Sequence, residues 1–423
     1  MVEERYRPRL IDKRLDFYLS TFGAVCVQGP KWCGKTWTSL VHSKSSYFVG
    51  DPADNFANRE LAQLEVDQAL LGESPHLIDE WQEVPAIWDA VRYSVDQRAQ
   101  RGCFILTGSS TPQNKGVLHS GTGRIACLPM HPMSLYESGG STGVVSLEKV
   151  CSGEEIGVVK VVPPTVEWLV TQVVRGGWPS ALGLTDEQAF LIPREYVENV
   201  INTDIGKLDD VERDPVKVRR CLKSLARNES TTVSTATLKA DVEEFDGTSI
   251  GINTISAYLG AFERMFLTHD TEPFSTFLRS PIRIKQQRKR RFCDPSIAAA
   301  LLGATPALLM RDLRTFGFLF ESLAVRDLEI YAESLGGRLY HYQDYEHDEF
   351  DAVIQMPDGS WSAFEVKFNP ADIDEAAENL VRVAAKFTHN PPKALGVVVG
   401  KYGIAHRRTN DGVYVLPITA LGR

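Results

Sequence analysis

The sequence predicts an α/β protein with two or three domains, and three observations support this fold class. A chain of 423 residues is too long for one ordinary hydrophobic core. Its first 130 residues alternate short apolar runs with amphipathic stretches, which is typical of βαβ units and a parallel sheet. A last region begins near Thr315 with a helix and continues with strands. We therefore expect a parallel-sheet domain first and a second α/β domain last.

The elements of the first region follow from its hydrophobic pattern, taken in chain order. Four apolar runs predict strands at Ala24–Gln28, Ser46–Val49, His76–Ile78 and Phe104–Thr107. The amphipathic stretches between them predict helices at Lys35–His42, Asn58–Leu71 and Pro85–Ala99. Residues 138–165, rich in Gly, Ser, Val and Pro, predict an irregular or β-rich connection.

The remainder of the chain divides into a mostly helical segment and a mixed one. Apolar residues at helical spacing predict three middle helices at Val216–Ala226, Ser234–Val242 and Ile252–Phe266. A further helix is predicted at Phe318–Ser334. Strands are then predicted at Leu339–Gln343, Phe350–Met356, Trp361–Phe368 and Ala394–Val399.

Composition excludes several classes of protein. The net charge of −9 means that the surface as a whole does not attract nucleic acid, so such binding needs a local basic patch. The apolar runs are too short to cross a bilayer, and the charged N-terminus does not resemble a secretory signal. The seven cysteines are scattered without a C-x-x-C, which argues against a disulfide framework and a zinc site. We expect a cytoplasmic protein.

A phosphate-binding loop follows the first predicted strand. The segment from Gly29 to Thr36 fits G-x-x-x-x-G-K-[ST], between a strand and a helix. Its glycines let backbone N–H groups surround phosphates at a helix N-terminus. Lys35 is expected to reach the β- and γ-phosphates, and the Thr36 hydroxyl to bind magnesium. The residues predicted to contact the nucleotide are Gly29, Pro30, Lys31, Trp32, Cys33, Gly34, Lys35, Thr36 and Trp37.

Two carboxylates follow the third predicted strand. In parallel sheets the carboxyl ends of strands meet at one edge, so Asp79 and Glu80 are expected near the phosphate loop. Asp79 is predicted to bind magnesium, directly or through water. Glu80 is predicted to orient and polarise the water that attacks the γ-phosphate. Together with the loop, this pair predicts nucleotide hydrolysis.

Three further residues are candidates for contacts to the reacting phosphate. Ser109, or alternatively Thr107, lies at the tip of the next strand and could contact the γ-phosphate or the water. Arg124 could stabilise charge in the transition state, either within its own subunit or across an interface. Ordinary turn hydrogen bonds and a surface ion pair are the alternatives for these residues.

A basic run follows the three middle helices. It holds seven basic residues among thirteen and no acid, in a chain that is acidic overall. Such a run can neutralise several phosphates of DNA, although it could also pair with acidic surface of the protein itself. The candidate DNA-binding residues are Arg279, Arg283, Lys285, Arg288, Lys289, Arg290 and Arg291.

The last region contains the pattern D…E-x-K of restriction-type nucleases. Glu365 and Lys367 share one face of a strand, because side chains alternate between faces. With Asp351, the acids could hold magnesium while the lysine positions a water, and Glu321 is the expected accessory acid. An even-numbered loop before Glu365 would place Asp351 on the opposite face, whereas an odd loop or a bulge would unite the three. A nuclease-like fold without activity is the alternative.

These motifs together resemble bacterial and archaeal AAA-type ATPases that carry a C-terminal domain of unknown function. The resemblance extends over nearly the whole chain. It implies ATP rather than GTP, a winged-helix middle segment and a restriction-nuclease-like final domain. The matching segments are Arg9-Leu-Ile-Asp, Leu77-Ile-Asp-Glu-Trp-Gln, Leu106-Thr-Gly-Ser-Ser, Gly123-Arg, Pro132-Met-Ser-Leu-Tyr-Glu, Gly176-Gly-Trp-Pro-Ser-Ala, Phe320-Glu and Phe364-Glu-Val-Lys.

The sequence thus predicts an AAA-type ATPase domain at residues 1–190, a winged-helix-like domain at 191–314 and a nuclease-like domain at 315–423. The expected function is magnesium-dependent ATP hydrolysis coupled to DNA binding, in genome defence or a toxin–antitoxin-like system. The alternatives are a nucleotide-gated module that binds a protein partner through an inactive nuclease-like domain, and a nuclease. The oligomeric state stays open.

Overall fold

The computed structural model describes residues 6–111, 117–209, 211–244, 249–276 and 286–423. Contacts divide the chain into two compact units. The first, called the N-terminal unit here, comprises residues 1–132, 203–212 and 260–267. The second, the C-terminal unit, comprises residues 133–202, 213–259 and 268–423. None of the helices within the described ranges combines the length and apolar character needed to cross a bilayer.

The N-terminal unit is built on a parallel sheet, because its short apolar runs are buried on both faces and alternate with helices. The strand order is β2-β3-β4-β1-β5. The bounds of its elements are α1 Asp12–Thr21, β1 Ala24–Gln28, α2 Lys35–Val41, β2 Ser45–Phe48, α3 Ala57–Leu64, β3 His76–Asp79, α4 Ala86–Arg98, β4 Phe104–Gly108 and β5 Ile125–Pro129. The predicted strands and helices of this region lie within one residue of these bounds, except that the helix predicted at Asn58–Leu71 ends at Leu64 and a 3₁₀ helix at Val66–Leu70 follows it.

The pairing of these strands brings their carboxyl ends to one edge of the sheet. β1 pairs in parallel with β4, so that Gln28 lies opposite Gly108. β3 joins the other side of β4 and ends at Asp79. The loop that follows Gln28 therefore begins beside the residues that end β3 and β4. This edge is where open α/β sheets bind their ligands.

The C-terminal unit contains a mixed sheet of order β7-β12-β13-β11-β10-β9-β8, and β6 pairs with β14. Its elements begin with α5 Leu135–Ser138, β6 Val145–Ser146, α6 Leu147–Ser152, β7 Val159–Lys160, α7 Val166–Arg175, α8 Asp186–Ala189 and α9 Leu191–Asn199. Next along the chain are α10 Ile205–Lys207 of the N-terminal unit, α11 Pro215–Arg227, α12 Thr235–Glu244 and α13 Ile252–Arg264, which the unit boundary at residue 260 divides. The remaining elements are α14 Pro295–Leu302, α15 Pro306–Leu309, α16 Leu313–Ser334, β8 Arg338–Gln343, β9 Glu349–Gln355, β10 Trp361–Lys367, α17 Ile373–Ala384, β11 Ala394–Val399, β12 Ile404–Arg407, β13 Tyr414–Pro417 and β14 Leu421–Gly422.

The division into units differs from the three predicted domains. Residues 133–190 were predicted to belong with the phosphate loop, yet β7 pairs with β12 and β6 pairs with β14 of the C-terminal unit. The predicted irregular stretch thus supplies an edge strand whose partner lies more than 200 residues later in the chain. The helices predicted in the middle segment are present as α11, α12 and α13. A winged-helix arrangement of these helices stays a prediction.

Candidate active site and a second acidic cluster

The phosphate loop requires glycine at both ends. A Cβ atom at Gly29 would lie 2.1 Å from the carbonyl oxygen of Met130, which no side chain can tolerate. Gly34 has a φ of 109°, in the region that favours glycine, and α2 begins at the next residue. Trp32 also adopts a positive φ, of 66°, between them. The loop is therefore shaped by close backbone approach, as the motif predicts.

Lys35 begins α2 and is buried, with its ammonium group turned toward the loop. Nζ donates hydrogen bonds to the carbonyl oxygens of Gly29 at 2.9 Å and Pro30 at 2.8 Å. These neutral acceptors hold the charge inside the curve of the loop, where the phosphates of a nucleotide are expected. The arrangement suits a lysine that exchanges carbonyl contacts for phosphate oxygens.

Arg9 supports the loop from the other side. Its guanidinium group is buried and donates to the carbonyl oxygens of Cys33 at 2.8 Å and His131 at 2.9 Å. Asp12 fixes the start of this segment by accepting from the backbone N–H of Arg9 at 2.8 Å. This role was missed in the sequence, although Arg9 and Asp12 are the charged ends of one of the motifs behind the family resemblance.

Two hydroxyl groups converge on the carboxylate of Asp79. The Thr36 hydroxyl donates to Oδ1 at 2.8 Å, and the Thr107 hydroxyl donates to the same oxygen at 2.7 Å. Burial raises the pKa of Asp79, while the two hydroxyl bonds lower it by a smaller amount. The Thr36 hydroxyl and the Asp79 carboxylate are hard oxygen donors side by side, which fits the ligand preference of magnesium.

Glu80 lies beside this pair at the end of β3, in the left-handed conformation with φ of 57°. Its Oε2 accepts a hydrogen bond from the Ser109 hydroxyl at 2.9 Å and another from the side-chain amide of Gln82. The backbone N–H of Glu80 donates to the Thr107 hydroxyl at 3.0 Å. Thr107 thus contacts both Asp79 and Glu80, and Ser109 orients Glu80.

Gln82 was not predicted as a site residue. Its amide nitrogen lies 3.3 Å from the Ser109 hydroxyl as well as bonding Glu80. Gly108 allows Trp81 to pack closely against the end of β4, because a Cβ at position 108 would lie 3.0 Å from the Trp81 indole nitrogen. The only sequence signal for Gln82 was its place two residues after Glu80 in Leu77-Ile-Asp-Glu-Trp-Gln.

Arg124 lies at the opposite edge of the sheet. It immediately precedes β5, and the first residue of β5 pairs with Ala24 at the amino end of β1. Its Nε donates to Asp96 at 2.8 Å. The full length of β1, roughly 13 Å at 3.3 Å per residue, separates it from the phosphate loop. A role for Arg124 at the site of its own subunit was therefore wrong, and a role across an interface stays a prediction.

Other residues of the predicted nucleotide set flank the loop. The side chains of Trp32 and Trp37 are about half exposed. The ammonium group of Lys31 binds Asp204 at 2.6 Å. These side chains border the loop without joining the cluster around Asp79, so their contact with a nucleotide stays a prediction.

A second acidic cluster, in the C-terminal unit, contains the predicted nuclease residues. Strand β9 pairs with β10 in a register that sets Gln355 opposite Trp361 and Phe364 opposite Ala352. The connection between these strands has five residues, 356–360, and its odd length continues the register to Asp351 opposite Glu365. Asp351 then accepts a hydrogen bond from the backbone N–H of Val366 at 2.8 Å. The two acids therefore share one face of the sheet, and the opposite-face arrangement is excluded.

Two lysines bind this cluster. Lys367 lies 3.1 Å from Oε2 of Glu365. Lys289 lies 2.6 Å from Oε1 of Glu321 and 3.6 Å from Oδ1 of Asp351. Burial lowers the pKa of the Lys289 ammonium, but the neighbouring carboxylates of Glu321 and Asp351 raise it to well above its usual range. Burial raises the pKa of Glu365.

Asn379 completes the contacts of Glu365 and was also missed. It lies on α17, and its amide nitrogen donates to Oε1 of Glu365 at 3.0 Å. A single asparagine on an amphipathic helix carries no sequence signal for this contact. The packing of α17 against β10 and β11 positions Asn379.

The basic run does not form a continuous exposed patch. Lys289 and Arg291 are buried, and Arg291 donates to Glu329 at 3.0 Å and to Thr271 at 2.8 Å. Arg290 binds Asp270. DNA contacts by Lys289 and Arg291 were therefore wrong, because acids of the same unit already surround these cations.

The other basic residues give a more restricted picture. Arg288 is about half exposed and lies 3.6 Å from Glu272. The remaining candidates, Arg279, Arg283 and Lys285, lie outside the described residues. DNA binding through the run stays a prediction.

Comparison with known proteins divides the chain into three segments. Residues 21–139 match the model of a family described as AAA domain. The segment holds the phosphate loop, Asp79, Glu80 and Ser109, whose geometry is that of a P-loop site. Residues 21–139 are therefore similar to AAA domains. Residues 166–308 match a domain of unknown function, DUF8612, and residues 316–421 match another, DUF4143.

Similarity to individual proteins is weaker. No curated protein matches the chain. One similar solved structure is the Walker-type ATPase PABY2304 of Pyrococcus abyssi, with 14% identity, a TM-score of 0.43, and coverage of 69% of this chain and 94% of that chain. Another is the Aeropyrum pernix ORC1 protein in complex with DNA, with 13% identity, a TM-score of 0.26, and coverage of 71% and 92%.

Proposed function

We propose that the chain is a magnesium-dependent ATPase whose reacting centre lies between Lys35, Asp79 and Glu80. The observation that carries this proposal is the convergence of the Thr36 and Thr107 hydroxyls on Asp79, with Glu80 held next to it. The AAA-type domain implies nucleotide binding, and the family resemblance indicates ATP. Hydrolysis is the function that best uses a second carboxylate at this position.

The residues divide the chemistry between them. Lys35 and the loop N–H groups bind the β- and γ-phosphates and stabilise their charge. Thr36 and Asp79 would hold magnesium, which compensates phosphate charge and favours release of the β-phosphate oxygen. Water attacks the γ-phosphorus, the bond from that phosphorus to the β–γ bridging oxygen breaks, and Glu80 accepts the hydrogen bond or proton of the water. The products are ADP and inorganic phosphate.

Three hydrogen bonds keep Glu80 ready for this role. The Ser109 hydroxyl and the Gln82 amide fix the carboxylate, and Thr107 fixes the backbone N–H. The two donors to the carboxylate, the Ser109 hydroxyl and the Gln82 amide, are both neutral groups. Ser109 and Thr107 act as positioning residues.

The test is to compare ATP turnover and nucleotide affinity in Glu80→Gln and Glu83→Gln. Glu83 lies three residues away, is exposed, and lies 3.5 Å from Arg59. We expect Glu80→Gln to reduce turnover about 10²- to 10³-fold while fluorescent ATP still binds, because a general base contributes on this scale. Glu83→Gln should hydrolyse ATP like the wild type. Full turnover by Glu80→Gln would refute the assigned centre.

Coupling to DNA and a role in defence are proposed only as extensions of the ATPase. Among the described basic residues of the run, Arg288 supports contact with a phosphate backbone, since it is about half exposed. Turnover measured with and without duplex DNA at two salt concentrations tests this extension. We expect stimulation that weakens with salt, because phosphate contacts release counterions. Turnover that ignores DNA favours the alternative of a nucleotide-gated module for a protein partner.

A further inference from the structure

The second acidic cluster contains a cation supplied by the chain itself. The ammonium group of Lys289 lies between Glu321 of α16 and Asp351 of β9, at 2.6 and 3.6 Å. Only about a tenth of each of the Lys289 and Asp351 side chains is exposed. Three separate segments of the C-terminal unit therefore meet at one buried positive charge.

The position of Lys289 is fixed by its backbone. Its N–H donates to the carbonyl oxygen of Thr271 at 3.0 Å, and its own carbonyl oxygen accepts from the N–H of Thr271 at 2.8 Å. The carbonyl oxygen of Gln287, two residues earlier, lies 3.1 Å from Nε2 of His341 on β8. Lys289 thus enters the cluster from a strand-like segment. Hydrogen bonds to Thr271 and to His341 hold that segment in place.

The remaining charge of the cluster is also compensated from within. Glu365 contacts the ammonium group of Lys367 at 3.1 Å and the amide of Asn379 at 3.0 Å. The three acids Glu321, Asp351 and Glu365 thus face two lysines. Mg²⁺ needs carboxylate oxygens at about 2.0–2.1 Å from its centre. An ion bound to both Glu321 and Asp351 would meet the Lys289 ammonium at contact distance, with like charge.

The three acids therefore fit a metal-dependent nuclease. Lys289 does not, because its charge is like that of the metal. We propose that Lys289 takes the place of the divalent cation, so that the acidic cluster of Glu321, Asp351 and Glu365 is a closed metal site. It becomes a site for Mn²⁺ or Mg²⁺ when Lys289 is removed or displaced. The C-terminal unit then keeps the nuclease-like arrangement as a structural element. This inference does not depend on ATP hydrolysis.

The experiment measures Mn²⁺ binding to the full chain in the absence of nucleotide. Lys289→Met keeps an unbranched side chain, one heavy atom shorter than that of lysine, and removes its charge. We expect it to bind one more Mn²⁺ per chain than the wild type, counted by electron paramagnetic resonance of free Mn²⁺ and by titration calorimetry. Mn²⁺ should also raise its melting temperature, because a ligand that binds the folded chain stabilises it. Loss of the extra ion in Lys289→Met with Asp351→Asn would place it in the cluster.

The matched control is Arg288→Met, which removes the adjacent and about half-exposed charge. It should bind Mn²⁺ with the wild-type stoichiometry. The proposal is overturned if folded Lys289→Met binds no additional Mn²⁺, or if the gain persists with Asp351→Asn.

The wild type gives a second test that needs no folded Lys289 variant. Its Mn²⁺ stoichiometry should equal that of Asp351→Asn, since the closed site holds no ion in either protein. Mn²⁺ binding that Asp351→Asn removes from the wild type would overturn the proposal. Magnesium-dependent cleavage of duplex DNA that disappears with Glu365→Ala would do the same.

Discussion

Both the proposed ATPase centre and the acidic cluster of the C-terminal unit place lysine near carboxylates, but they compensate charge in different ways. In the ATPase centre, Lys35 binds backbone carbonyl oxygens, while Asp79 accepts hydrogen bonds from hydroxyls. In the cluster, Lys289 binds Glu321 and Asp351 directly. In the first arrangement, the groups that form hydrogen bonds with Lys35 and Asp79 are neutral, so that both charges can be compensated by a charged ligand. The second sets two lysines of the protein against its three carboxylates.

This difference has an energetic consequence. Burial raises the pKa of Asp79, so the ionised carboxylate is a cost to the folded chain until a cation compensates it. A ligand that binds only the folded state offsets this cost and so stabilises the folded chain. A buried ion pair such as that of Lys289 holds its partner in place and makes each member costly to remove. Substitutions at the two places should therefore change different properties.

The largest expected effect is on turnover, in Lys35→Ala. Loss of the ammonium group removes charge stabilisation at the transferred phosphate, and we expect ATP hydrolysis to fall about 10²- to 10³-fold. The increase of melting temperature caused by ATP with magnesium should disappear as well. Lys13→Ala, an exposed lysine on α1, is the matched control. Normal turnover by Lys35→Ala would contradict the role of Lys35 at the transferred phosphate, and with it the difference proposed between the two sites.

The second effect is on stability, in Glu321→Gln. At pH 8 the variant leaves the Lys289 charge without its closest carboxylate, and we expect the free energy of unfolding to fall by about 3 to 4 kcal/mol. The corresponding change in the proposed ATPase centre, Asp79→Asn, removes a half-buried charge whose hydrogen bonds come from hydroxyls. Its unfolding free energy without nucleotide should stay near the wild-type value. Urea titrations followed by tryptophan fluorescence compare the two, and equal losses would contradict the comparison.

The third effect is on the pH dependence of stability. It concerns a carboxylate of the C-terminal unit whose hydrogen-bond donors are neutral groups. Glu229 accepts from the N–H of Phe292 at 3.2 Å and from the Ser322 hydroxyl at 2.6 Å. Burial raises its pKa to about 8, against 4.5 in the unfolded chain. Between these values the folded state keeps the proton that the unfolded state has lost. Stability contributed by this group is therefore present at low pH and is lost as pH rises toward 8.

Glu229→Gln should remove this contribution to the pH dependence. Between about pH 5.5 and 7.5, the unfolding free energy of the wild type should fall by about 2 to 3 kcal/mol relative to the variant. Denaturant unfolding at several pH values measures the difference. A constant difference across the range would show that Glu229 is ionised in the folded chain.

Local pattern predicted four of the five strands of the N-terminal sheet and the residues of its candidate site, but it did not predict α1 or β5. The strands, the phosphate loop and the Asp79-Glu80 pair are contiguous motifs whose geometry follows from strand order. Arg124 was harder, because a short sequence distance from the site does not reveal which edge of the sheet a loop occupies. The pairing of β7 with β12 joins segments more than 200 residues apart, and no local pattern specifies it.

In the acidic cluster, too, local pattern did not specify which charged side chains come together. Asp351, Glu365 and Lys367 were predicted together from one motif, but whether they share a face depended on the length of the 356–360 loop. Lys289 was assigned to a solvent-facing basic run, because seven neighbouring cations look like one surface. Its burial depends on Glu321 and Asp351, which lie 32 and 62 residues further along the chain. Composition alone cannot show which charges in a run turn inward.

The smallest expected effect is in Asn379→Ala, within the acidic cluster. Its amide donates to Glu365, whose other contact is Lys367. Removing one hydrogen bond to a charged group while the lysine remains should lower the free energy of unfolding by about 1 to 2 kcal/mol, without changing ATP turnover. Asn390→Ala, at an exposed position just beyond α17, is the matched control, measured by the same urea titration. A loss as large as that of Glu321→Gln would mean that the amide, rather than Lys367, is the principal partner of Glu365, and that charge compensation by lysine does not explain this cluster.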